Sequence, residues 1–187
     1  LAFPAGRKSD KEQARLQRRV AEAVQWFERG LEIEQTGVSV EEATAAYEKA
    51  VELDPQCVGA LVNLGTIAFH GRQWKKAEAF YKKALEIQPD YSLGHFNLAN
   101  LYDERGDVLD ALHHYALALK ASPQYADAHY NLALLCQRTG QLLRAVRHWR
   151  AYIKLDPTSS WAEIARRELD KLRRASVVKG RGTTTAG

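Results

Sequence analysis

The sequence has no methionine, only two cysteines among its 187 residues, and just five prolines. Two cysteines, Cys57 and Cys136, cannot staple a small secreted scaffold, so a reduced, cytoplasmic setting is expected. With no methionine at position 1, the chain is expected to be a fragment or processed product, and any targeting signal to lie outside it. No apolar run approaches the roughly 18 residues of a membrane span. The sequence also lacks a phosphate-cradling glycine loop, a Ser-His-Asp or Cys-His grouping and a paired-carboxylate site. Catalysis is therefore not expected, and no cofactor is implied.

What the chain does contain is a period. Four of the five prolines, Pro55, Pro89, Pro123 and Pro157, stand 34 residues apart. The same phase carries Ala43, Ala77, Ala111 and Ala145, and then Tyr47, Tyr81, Tyr115 and Trp149. Ala50, Ala84 and Ala118 form a further series, which Tyr152 breaks, and the triplets Asn63-Leu64-Gly65, Asn97-Leu98-Ala99 and Asn131-Leu132-Ala133 form another. Proline has no amide hydrogen and disfavours helix in the residue before it, so each one punctuates the chain. The interval between two prolines holds two short helices. Leu61, Leu64, Gly65 and Ala68 recur at helical spacing, Gly71 interrupts, and Ala77, Tyr81, Ala84 and Leu85 resume the pattern. Small residues at Gly65 and Ala77 let two backbones approach, and the Tyr81 ring fills space between units. Because one hairpin buries too little by itself, neighbours must stack.

The pattern resembles the tetratricopeptide repeat family over residues 23–159. The resemblance implies an all-α superhelix, or solenoid, of about four helix-turn-helix hairpins. The expected organisation is a linker at 1–8, expected to be disordered, a helical extension at 9–22, hairpins at 23–57, 58–91, 92–125 and 126–159, a capping helix at 160–175 and a disordered tail at 176–187. The first hairpin carries one extra residue near Gly37-Val38-Ser39, and Arg29 stands where later units have Leu64, Leu98 and Leu132, which makes it the least regular. His95 and His129 occupy positions where the family often has large apolar residues, and Cys136 takes the place of Tyr102. Ser9 with Glu12, and Ser160 with Glu163, read as capping boxes opening the terminal helices. In the last helix, Trp161, Ile164, Ala165, Leu169 and Leu172 form an apolar stripe that is expected to cover the final repeat.

In a solenoid of this kind the first helices of successive hairpins line a concave groove. Asn63, Asn97 and Asn131 then form a ladder able to hold the amides of an extended peptide. At about 1 kcal/mol net per hydrogen bond, three asparagines alone give modest affinity. The residues one position earlier, Val62, Phe96 and Tyr130, with Phe27 in the first unit, are expected to anchor ligand side chains. Thr66, Asn100 and Leu134 follow three residues after each asparagine. The ladder resembles the repeat region of O-linked N-acetylglucosamine transferase, although no glycosyltransferase domain is present. A dicarboxylate clamp for chaperone tails needs lysine and arginine where this chain has Val62, Thr66, Asp127 and Asn131, so that ligand is not expected.

Overall, 27 lysines and arginines face 23 acids, but the excess is local. Residues 138–181 hold twelve basic against four acidic side chains. Arg144, Arg147, Arg150 and Lys154 form a candidate basic face for nucleic acid or an acidic partner. His113 and His114 are adjacent and diverge by about 100° on a helix. His148 repeats His114 one unit on, and copies separated by helix packings of about 8–10 Å cannot share a metal. No metal site is expected. The sequence thus supports a non-catalytic module that binds a protein or peptide in the groove. Its alternative is a regulatory or self-association module of a longer protein, such as a bacterial transcriptional regulator, using the basic face.

Overall fold

The computed structural model describes residues 10–37 and 39–181, with side chains to residue 174. All secondary structure among them is helical. The chain divides into two compact units at Pro89 and Asp90. The first contains α1 (Asp10–Thr36), α2 (Val40–Leu53), α3 (Val58–His70) and α4 (Trp74–Ile87). The second contains α5 (Ser92–Arg105), α6 (Val108–Ala121), α7 (Ala126–Arg138), α8 (Leu142–Leu155) and α9 (Ser160–Arg181). Helices pair as hairpins, α1 with α2, α3 with α4, α5 with α6 and α7 with α8, and α9 packs on α8. The expected class, all-α and built from tetratricopeptide-type hairpins, is what the chain adopts.

The four spaced prolines end the second helix of each hairpin. Asp54, Gln88, Ser122 and Asp156 each give their amide to the carbonyl four residues back, closing the last turn. Each is followed directly by a proline, which has no amide to continue the ladder. The turns inside the hairpins repeat as well. Gln73, Asp107 and Gln141 donate to Ala68, Tyr102 and Cys136, five residues earlier, each at 2.8 Å. This closure needs a left-handed residue in the preceding position, which Gly106 (φ 82°) and Gly140 (φ 75°) supply. In the second hairpin that residue is Arg72, at φ 57°. The interruption expected at Gly71 therefore falls one residue late, on a side chain that adopts this conformation at a cost. Ser39 opens α2 by accepting the Glu42 amide at 3.1 Å.

The buried interior follows the repeat. Ala43, Ala77, Ala111 and Ala145 are fully buried, and so, within 1 %, are Tyr47, Tyr81, Tyr115 and Trp149. The small residues are required by contact. A Cβ at Gly65 would stand 2.4 Å from Tyr81 Cε1, and one at Gly30 would meet Tyr47 Cε1 at the same distance. Gly30 thus does in the first hairpin what Gly65 does in the second. Arg29 points outward, its guanidinium 5.2 Å from the Trp26 ring centre, and the first hairpin closes without a leucine there. Tyr152, the large member of the series Ala50, Ala84 and Ala118, is buried and hydrogen-bonds Asp156 through its hydroxyl at 3.0 Å.

Two details of the termini differ from expectation. Helix α9 runs to Arg181, past the end expected at 175 and into the expected tail; no proline stands in that stretch to stop it. The expected linker at 1–8, Ser9 and residues 182–187 lie outside the described residues. The buried seam of α9 is Ala162, Ala165, Leu169 and Leu172. Trp161 and Ile164, placed in the covering stripe from sequence, are instead 56 % and 37 % exposed. They sit about 100° round the helix from the seam residues beside them.

Candidate functional site

Each hairpin satisfies the polar head of its central aromatic from its own first helix. Tyr47 donates to Glu34 at 2.5 Å, Tyr81 to Thr66 at 3.3 Å and Tyr115 to Asn100 at 2.5 Å. In the fourth hairpin Leu134 replaces Thr66 and Asn100, and Trp149 Nε1 finds Gln137 at 3.1 Å instead. Burial pushes the tyrosine hydroxyls up, Tyr81 to about 12, and all stay neutral hydrogen-bonding groups.

The asparagines join neighbouring hairpins. Asn131 Nδ2 donates to Asn100 Oδ1 at 2.9 Å, so that one oxygen receives both the Tyr115 hydroxyl and the next hairpin's amide. A hydrogen bond to Asn131 also favours the ionised form of Tyr115, although burial raises its pKa overall. In the first unit Asn63 makes the equivalent contact to Tyr47 of the preceding hairpin. Within each unit these amides are therefore partly occupied by stacking. Asn100 still has both Nδ2 hydrogens without a partner among the described residues, directed by an amide whose oxygen is fixed. Asn97 is half-buried on α5.

The residues preceding the asparagines differ among themselves. Val62 is only 1 % exposed and has no surface to offer a ligand. It belongs to a broad apolar face of α3, with Ala60, Leu61, Leu64, Gly65 and Ala68 also buried. Phe27 is half-buried against Tyr47, with ring centres 5.9 Å apart, and its Cζ would lie 2.7 Å from a Cβ at Gly59. It serves mainly as packing. Thr66 returns its hydroxyl to the Val62 carbonyl at 3.0 Å and receives Tyr81. Of the first-unit apolar candidates, Val62 is enclosed and Phe27 is half-buried.

The second unit does form a recess. Phe96, Asp127, Tyr130, Asn131, Tyr152 and Trp161 line a pocket of about 300 Å³. Tyr130 lies at its centre, with ring centres 5.0 Å from Trp149, 5.1 Å from Tyr152 and 5.5 Å from Trp161, all nearly edge-on. Phe96 packs 4.8 Å from Tyr125. Sequence reasoning named Phe96, Tyr130 and Asn131 but missed Asp127, Tyr152 and Trp161 as site residues. A signal was present: Trp161 stands 34 residues after Asp127, in the same register. Below this recess the facing helices are laced by polar pairs, Arg138 with Asp103 and Gln137 with Glu168, the latter at 2.7 Å.

The histidines form pairs that sequence did not suggest. His95 Nδ1 lies 3.0 Å from His114 Nδ1, and His129 Nδ1 lies 2.9 Å from His148 Nδ1. Both pairs have ring centres 5.2 Å apart and planes tilted by 35°. His129 Nε2 is 3.0 Å from the Pro123 carbonyl, which can only accept. Neutral His129 therefore carries its hydrogen on Nε2, and His148 donates from Nδ1. Burial, with His129, Arg144 and Arg147 nearby, lowers the His148 pKa to about 4. Among the described residues no group of three or more His, Cys, Asp or Glu is gathered closely enough to hold a metal. Burial also raises the pKa of the free thiols of Cys57 and Cys136.

Arg144, Arg147, Arg150 and Lys154 are all exposed along α8, within an arc of about 120°. Arg144 bonds the Gln141 side chain at 2.5 Å. No described helix is long and apolar enough to cross a membrane.

A search of curated proteins found no match. Among solved structures, a Pseudomonas aeruginosa pilF structure is 20 % identical with a TM-score of 0.75, covering 85 % of this chain and 72 % of that one. A tetratricopeptide repeat protein from Parabacteroides merdae is 23 % identical with a TM-score of 0.67, over 83 % of this chain and 61 % of that one. A MamA structure is 21 % identical with a TM-score of 0.64, over 86 % and 88 %. These likenesses concern the fold. A family model described as tetratricopeptide repeat matches residues 39–92 and 96–160, well over half the chain. With the 34-residue period, the buried alanine and aromatic series and the proline-terminated hairpins, this match shows that the chain belongs to the tetratricopeptide repeat family.

Proposed function

We propose that the chain is a non-catalytic protein-interaction module that binds an extended peptide segment on the face of α5, α7 and α9. The observation that carries this reading is the recess lined by Phe96, Asp127, Tyr130, Asn131, Tyr152 and Trp161. It combines aromatic surface for an anchoring side chain with amide donors beside it. The Asn100 Nδ2 group is suited to peptide carbonyls, which every sequence presents. Because the oxygen of Asn100 is already fixed by Tyr115 and Asn131, little ordering entropy is lost when its amide group is engaged. The asparagine role expected from sequence is thus narrowed to Asn100 and Asn131, with Asn97 alongside them and the Asn63 region set aside.

The test is selection of random 12-residue peptides displayed on phage against the chain, followed by affinity measurement on the Phe96→Ala, Tyr130→Ala double variant. Binders should lose about tenfold or more, as expected for removing central aromatic anchors. Reversal of Arg144, Arg147 and Arg150 to glutamate should leave them unaffected. Binders indifferent to Phe96 and Tyr130 but sensitive to the arginines would refute the groove and favour the basic face.

A further inference from the structure

We propose that the recess on the second unit recognises the guanidinium of a peptide arginine; this rests on the peptide-binding reading above and specifies its partner. The lining contains no cation. Its aromatic members, Phe96, Tyr130, Tyr152 and Trp161, present ring faces and edges within a small volume, and ring faces attract cations. Trp161 is left 56 % exposed, a large apolar surface at the mouth of the recess.

The charged side chain that lines the recess is an acid. Asp127 lines it directly and has no ion-pair partner among the described residues. Asp156 accepts the Tyr152 hydroxyl at 3.0 Å; burial raises the pKa of that hydroxyl, and both carboxylates add to the rise. Three cations of the second unit are tied to other partners. Arg166 donates to the Pro157 carbonyl at 2.5 Å, Arg138 pairs with Asp103, and Lys171 pairs with Glu168 at 2.5 Å. An acidic, aromatic recess thus sits in the part of the chain where twelve basic residues outnumber four acidic ones. A ligand attracted by the basic helix faces would be acidic; one that fills this recess is cationic.

Size and shape select among cations. A volume of about 300 Å³ is at the low end for ligand pockets, enough for one side chain. A planar guanidinium can stack on an aromatic ring while its fork of N–H donors meets a carboxylate, which an ammonium cannot do. Asp127 and Tyr130, three residues apart on α7, lie on one side of that helix and can serve both roles at once.

The experiment is a titration of the isotope-labelled full chain with N-acetyl-arginine-N-methylamide, followed by NMR at the Trp161 indole N–H. The control ligand is the citrulline analogue, which has nearly the same shape and no charge. Saturable shifts at millimolar concentration are expected. Affinity should fall about fivefold with the citrulline amide and again with Asp127→Asn, an exposed substitution that leaves the thermal melt unchanged. Equal affinity for the two amides, or no saturable shift up to about 50 mM, would overturn the proposal. Display-selected peptides separate this inference from the reading beneath it. Peptides that require Phe96 and Tyr130 but tolerate arginine-to-citrulline exchange would refute the guanidinium site and leave peptide capture intact. A pocket that binds the arginine amide while no peptide depends on those rings would do the reverse.

Discussion

Acidification should loosen the α7–α8 hairpin through His148. At neutral pH this ring is uncharged and donates to His129, whose other nitrogen is held by the Pro123 carbonyl. In the unfolded chain His148 protonates near its ordinary value of 6.5; in the folded chain the value is about 4. The unfolded state therefore takes up the proton first. The stabilising contribution is complete above pH 7, drains as the pH falls from 6.5 towards 4, and is gone once the folded ring also protonates. A shift of this size corresponds to about 3 kcal/mol for a fully enclosed group. The His148 ring is only half-buried, and solvent screening reduces the expectation to about 1–1.5 kcal/mol. Urea unfolding followed by far-ultraviolet circular dichroism at pH 7.5, 6 and 5 measures it, comparing the unaltered chain with His148→Gln. The unaltered chain should lose about 1 kcal/mol more than the variant over this range, or about 2–4 °C in melting temperature. Superimposable pH profiles would show that the pair carries no proton linkage and that the assigned hydrogen positions are wrong.

Three further outcomes follow from packing and backbone geometry. Gly65→Ala should destabilise by about 1–2 kcal/mol in a thermal melt despite the better helix propensity of alanine, because its Cβ meets Tyr81 at 2.4 Å; an unchanged melt would mean that the ring yields freely. Asn100→Ala removes the acceptor shared by Tyr115 and Asn131 and should cost about 2–3 kcal/mol in denaturant unfolding, whereas a loss below about 0.5 kcal/mol would mean that other partners replace it. Arg72→Gly should raise stability by about 0.5–1 kcal/mol, the relief of a left-handed side chain less the extra freedom of glycine when unfolded; a lower melting temperature would refute that account.

The hairpins were legible because their signals are local or strictly periodic. Proline ends a helix by its own chemistry, and the alanine and tyrosine series recur at one spacing whatever surrounds them. The recess was half legible. Phe96 and Tyr130 were found through their place before an asparagine, but the same rule also selected Val62. There the α3 neighbours Ala60, Leu61, Leu64 and Gly65 are buried with it, and the rule fails because burial depends on the whole helix surface. Trp161 was misassigned to the buried stripe for a related reason: two apolar stripes about 100° apart fit the same residues, and only packing on α8 chooses Ala162 and Ala165. The histidine pairs were out of reach. His129 and His148 lie 19 residues apart across a turn, so no helical period links them, and their meeting depends on how the two helices face each other.

The oxygen of Asn100 has an implication for how such a chain can change length. It receives one donor from within its own hairpin and one from the next, so residues 92–125 form a cassette with an outgoing acceptor and, at Asn97, a residue in the place from which Asn131 donates to it. Tandem duplication of that cassette would set the first copy's Asn100 opposite the second copy's Asn97, and the second copy's Asn100 opposite Asn131. The fastening between modules would be inherited along with the modules, so the array could lengthen without inventing a new junction.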